Sequence, residues 1–151
     1  MKVCDSNTGN EGSDHLWGEV VCLTDGTFAD AASNAAIPEL QLLVVGSTDL
    51  AMPDNLAFQP ARGNWIVHED GDINITHKNN DLWDCLPDGS DADGLSDGCI
   101  RIGVLHDLIA NVDEGAEWTG GIFDATGTRF FVSVQHNMTG HGVVLEVTGW
   151  K

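Results

Sequence analysis

This chain of 151 residues contains no tyrosine, only four prolines and only six basic residues. Each scarcity excludes something. Six Lys and Arg stand against 24 Asp and Glu, a formal charge of −18, so the clustered cations that nucleic acid requires are missing. Nucleic acid is therefore excluded as a partner, and so is an anionic membrane surface. No apolar run is long enough to span a bilayer, and Met1-Lys2-Val3-Cys4 leads straight into polar residues, so neither a transmembrane helix nor a signal peptide is expected. An exported form would need a leader outside these residues. The chain has no Cys-x-x-Cys pair, which removes a zinc ribbon and a thioredoxin-like motif. His-Glu-x-x-His, Gly-x-Ser-x-Gly, Walker and dinucleotide signatures are also missing, and nothing singles out Ser/His/Asp catalysis.

Hydrophobic residues make up 42% of the chain, enough for a packed core, and the length fits one domain. Eighteen glycines and many short apolar runs broken by Gly, Asp and Asn favour β-structure with tight turns. The acidity suits solubility in a salty habitat, binding of hard cations such as Ca²⁺, or both together.

Residues 1–15 are polar and read as a flexible N-terminal segment, followed by a β domain over residues 16–151. Strands are expected at 16–23, 39–46, 55–59, 64–68, 81–86, 99–104 and 142–149, with two more between residues 117 and 136. Residues 29–36 read as a small-residue insertion, and Leu105 to Gly115 as a loop or one helical turn. No internal linker divides the chain.

Two stretches repeat one pattern. Pro53 to Gly71 and Glu117 to His136 each have an acidic or polar lead-in, an apolar strand ending in Phe, a Gly-bearing turn and a second apolar strand. Repeated hairpins of this kind mark propeller blades. The expected fold is all-β, a partial β-propeller of two to three blades that is open or completed by oligomerisation. Too few strands are present to close a ring, so copies of the chain, or a missing propeller half, would cover the open edges.

Candidate metal ligands are Asp54, Glu69, Asp70 and Glu117, carboxylates at strand ends in equivalent regions of the two repeats. Converging there, they would offer hard oxygens to Ca²⁺. As isolated residues they would equally serve as turn formers. The loop with Asp88, Asp91, Asp93 and Asp97 is dense in acid but fails the EF-hand pattern, with Gly89 at its first position and Ile100 at its twelfth. It reads as a solvated loop. His136 and His141, five apart, make a weak zinc pair and read as polar loop residues. Trp17, Trp65, Trp83, Trp118 and Trp150 read as packing residues. Sequence neighbourhood favours Cys4–Cys22 and Cys85–Cys99 bridges, although four cysteines allow three pairings, and four reduced thiols are the other reading.

Taken together, Pro53-Asp54-Asn55-Leu56, Arg62-Gly63 and Glu69-Asp70-Gly71 resemble a segment of the PhoX-type alkaline phosphatases, a β-propeller family. Glu117-x-Thr-Gly120, Phe123, Gly127, Phe131-Val132 and Gln135 are similar to a second segment, and Val147-Thr148-Gly149-Trp150 to the last strand. The likeness runs in order over residues 16 to 150 and corresponds to the C-terminal portion of that family. It implies hydrolysis of small phosphate monoesters at a calcium- and iron-containing centre, in an exported bacterial protein, periplasmic or extracellular. Glu69 and Glu117, with Asp54 and Asp70, are the implied metal residues. The family's N-terminal metal-binding segments, including an Asn-Cys-Ala-Gly-Gly type cysteine, have no counterpart here, and only Arg62, Arg101 and Arg129 could grip phosphate. The expectation is a chain inactive by itself. The alternatives are a non-catalytic calcium-binding propeller module and a lactonase-like propeller hydrolase.

Overall fold

A computed structural model describes residues 2–8, 17–33, 35, 38–72, 76–106, 115–137 and 140–150. Among them are ten strands in three antiparallel sheets and one short helix. The first sheet comprises β1 (Lys2–Asn7), β2 (Glu19–Thr24) and β3 (Glu39–Val45) in that order, with α1 (Phe28–Ala32) between β2 and β3. The middle sheet is β4 (Pro53–Gln59), β5 (Asn64–Glu69), β6 (Asp81–Cys85) and β7 (Cys99–Val104). The third is β8 (Glu117–Phe123), β9 (Arg129–Gln135) and β10 (Val143–Thr148). Strands follow one another along every sheet, and the two tight connections, 60–63 and 124–128, carry Gly63 and Gly127 at positive φ.

The sheets stack in three layers, which explains the patterning. One core unites Ala57, Ile66 and Leu82 of the middle sheet with Trp118, Phe123, Phe130, Val132 and Val134 of the third. The other unites Val67, Trp83 and Cys85 with Val20, Cys22, Leu43 and Val44 of the first. The middle sheet is thus covered on both faces, so β5 and β6 are buried almost throughout. The outer sheets alternate, and their outward faces keep exposed apolar residues. Leu40 is 73% exposed in the cross-strand row Val3–Leu23–Leu40, and Ile122 (68%) and Val144 (71%) lie on the outer face of the third sheet.

Two expectations are corrected. Residues 2–7, read as a flexible lead-in, form β1; its polar residues hide the alternation, and the Cys4–Cys22 disulfide holds it directly opposite β2. The small-residue insertion at 29–36 begins within α1, a helix started by a reciprocal cap in which Thr27 Oγ1 accepts from Asp30 N (3.2 Å) and Asp30 Oδ2 accepts from Thr27 N (3.0 Å). The helical turn expected near Leu108 and Ile109 falls among residues 107–114, outside the described residues, as do residues 9–16 of the lead-in. The second disulfide joins Cys85 to Cys99, also directly opposed residues, so all four cysteines are oxidised.

Candidate metal site

The two repeated hairpins lie side by side and advance together. At one end Gly120 N donates to Asn55 Oδ1 (3.3 Å), and at the turn end Gln59 Nε2 donates to the Gly127 carbonyl (2.8 Å). Pro53 pairs with Glu69 across β4–β5, and Glu117 with Gln135 across β8–β9. Asp54, Glu69, Asp70 and Glu117 therefore lie towards one end of the two sheets.

Both first strands carry an irregularity at that end. The register of β4 slips between Pro53 and Asn55, leaving Asp54 as the extra residue, and that of β8 slips between Thr119 and Gly121, leaving Gly120. A bulge re-aims its side chain and frees a backbone group from the ladder. Gly120 meets its conformational demand with φ of 49°, and its freed N–H is the group bonded to Asn55. The first sheet touches the same corner through Ser6 Oγ, which donates to the Asp54 carbonyl.

Asp54 and Asp70 form the electrostatic centre of this corner. Burial raises the Asp54 pKa above its ordinary value, the neighbouring Asp70 charge raises it further, and a hydrogen bond from Asn55 Nδ2 opposes them. Among the described residues no basic side chain forms an ion pair with either carboxylate. Two like charges held together without a counter-ion form an arrangement that a hard divalent cation relieves.

Glu69 is placed very differently from a metal ligand. Its Oε1 accepts from Ala51 N (2.7 Å) and from the Trp83 indole (3.1 Å), while Oε2 accepts from Asp81 N (2.8 Å) and from Lys78 Nζ. Burial pushes its pKa up, opposed first by the Lys78 hydrogen bond and charge, then by the two backbone amides. Lys78 also reaches Asp81 (3.5 Å), which Arg101 contacts at 3.0 Å. An ammonium thus occupies the cation's position beside Glu69. A metal would have to displace it, so Glu69 does not fit the ligand role implied by the resemblance. Glu117 is buried at the start of β8, next to Ala116, whose carbonyl accepts from Asn80 Nδ2 at 3.3 Å.

Beneath the corner lies a residue that the sequence reading passed over. His68 is fully buried, its Nδ1 2.8 Å from the Asn55 carbonyl. That bond makes Nδ1 the protonated nitrogen. Nε2 has no hydrogen-bond partner and faces Phe130 across β8, where a Cβ on Gly121 would stand 2.8 Å from it. Burial lowers the His68 pKa to about 4, with the Asn55 bond opposing. Its only sequence signal was its place in an apolar strand.

Other candidates gather elsewhere. Asp88, Asp91 and Asp97 bring one oxygen each within 4.8 Å of one another, the one group of three metal-type side chains among the described residues. Their carboxylates shape the loop instead: Asp88 accepts from Gly94 N (3.2 Å) and Asp97 from Gly89 N (3.1 Å). His136 takes a left-handed turn conformation (φ 53°), and His15 lies outside the described residues. The three arginines are engaged: Arg62 with Asp84, Arg101 with Asp81 and over the Trp83 ring, and Arg129 with Glu146.

Comparison with protein-family models, with curated proteins and with solved structures finds no match to this chain.

Proposed function

We propose that the middle and third sheets are two consecutive blades of a β-propeller, and that the chain is the calcium-holding part of a PhoX-type phosphomonoesterase. The observation that carries this reading is the pair of facing bulges, Asp54–Asn55 on β4 and Gly120 on β8, with Asp70 beside them. Face-to-face stacking of sheets whose first strands run side by side in one direction is how blades pack. The first sheet departs from that pattern. Ser6 lies by Asp54 while Lys2 lies towards Phe58, so β1 runs opposite to β4 and its sheet forms a third layer rather than a blade in register.

Asp54 and Asp70 supply two of the six to eight oxygens that Ca²⁺ takes, and backbone carbonyls or water complete the shell. Bound there, calcium would supply charge neutralisation for the paired carboxylates and for a phosphoryl oxygen. The chain's own residues do the positioning: Asn55 ties the two bulges, and Glu69 with Lys78 braces the strand ends. The cysteine ligand that the resemblance implies for iron is not on offer, since every cysteine is in a disulfide. With its arginines paired to acids, the chain offers no free guanidinium for phosphate among the described residues. Turnover of a small phosphate ester therefore requires the rest of the ring, which would pack on the exposed Ile122 and Val144 face. Two disulfides accord with the oxidising periplasmic or extracellular setting in this reading.

Thermal melts in millimolar calcium and in EDTA, followed by assay of p-nitrophenyl phosphate and of a lactone, test the proposal. A calcium-raised midpoint without turnover by this chain is the expected result. An unchanged midpoint refutes the metal corner, and lactone hydrolysis would replace the phosphatase assignment.

A further inference from the structure

At the turn end of the first hairpin, away from the acidic corner, a groove of about 550 Å³ opens between β1 and the β4–β5 hairpin. Lys2, Val3, Phe58, Gly63, Trp65 and Pro87 line it. Its size falls in the range of small-molecule sites. Phe58 and Trp65 are direct cross-strand partners, with ring centroids 5.0 Å apart and planes at 50°, so they form an angled aromatic wall. Phe58 is 47% exposed, and an exposed large aromatic beside a second one is unusual on a soluble surface. Trp65 is thus more than a packing residue.

Lys2 supplies the polarity. Arg62, Lys78, Arg101 and Arg129 are each held in an ion pair, and Lys2 is the one basic side chain among the described residues that is not. In a chain of net charge −18, an unpaired ammonium at an apolar wall selects an anion, and the aromatic wall selects a flat ring. A sugar would bury hydroxyls against walls that offer few polar partners. The groove is also pre-formed: Cys4, which lines it, is bridged to Cys22, and Ser6 fastens β1 to the Asp54 carbonyl. A Cβ built at Gly63 would meet no atom within 4 Å, so the mouth is open.

We propose that this groove binds a small flat apolar anion of the aryl carboxylate class, with its ring against Phe58 and Trp65 and its carboxylate on Lys2. The site is independent of the acidic corner. The test is an NMR titration of the full chain with 2-naphthoate and with the neutral 2-naphthamide, both in EDTA so that no metal contributes. Saturable shifts confined to Lys2, Phe58, Gly63 and Trp65 are expected, with naphthoate about fivefold tighter than the amide, the scale of one partly exposed ion pair. Lys2→Gln, at an exposed position, should abolish that preference while leaving amide binding unchanged. Equal affinity for the two probes in the parent chain, shifts centred on the Leu40 face, or no saturation would each overturn the proposal.

Discussion

Acidification should loosen this protein through His68 before its surface carboxylates protonate. In the folded chain the imidazole is buried, its Nδ1–H is spent on the Asn55 carbonyl, and Nε2 faces Phe130 and Gly121. A proton on Nε2 would be a buried charge without a partner, and the pKa falls from 6.5 to about 4. In the unfolded chain the ring is free to protonate near 6.5. Between those values the unfolded state binds more protons, so stability rises with pH there. The contribution is fully present above about 6.5 and is lost as pH falls towards 4. At about 1.4 kcal/mol per pKa unit, the difference is about 3 kcal/mol. His68→Asn keeps an amide able to donate to Asn55 and removes the titration. Urea midpoints of both proteins from pH 4 to pH 8 supply the comparison. The variant is less stable at pH 7 because it leaves a cavity, and its deficit should shrink by about 3 kcal/mol on going to pH 4. Parallel profiles, or a His68 resonance that titrates near 6.5, would refute the reasoning.

Three further outcomes are expected. Asp54→Asn removes a carboxylate whose pKa burial and Asp70 both raise, so in EDTA the variant should melt at or above the parent, while its calcium-induced rise disappears; an undiminished calcium response would place the ion elsewhere. Glu69→Gln should cost about 3 kcal/mol by removing the buried carboxylate charge that accepts from Lys78, the Trp83 indole and two backbone amides, equally in calcium and in EDTA, as denaturant titration in both would show; a loss confined to calcium would make Glu69 a ligand after all. Reduction of Cys4–Cys22 and Cys85–Cys99, which span 18 and 14 residues, should lower stability by about 3 kcal/mol per bridge, and intact mass under non-reducing conditions should show no free thiol.

Much of the architecture was legible in residue order because it rests on local chemistry. Gly-bearing turns marked the hairpins, and the repeat of Pro53–Gly71 in Glu117–His136 implied two like units. Cysteines close in sequence proved to face each other across strand pairs. What could not be read was whatever depends on partners distant in the chain. β1 is a strand because β2 and a disulfide hold it, not because Lys2–Asn7 is patterned for one. Asp54 and Glu69 looked alike as turn-end carboxylates, yet folding surrounds Glu69 with an ammonium, an indole and two amides and leaves Asp54 facing Asp70. Period and turn chemistry act over a few residues and are written directly in the chain. The state of a buried charge depends on the dielectric and the donors around it, and those arrive only when the sheets stack.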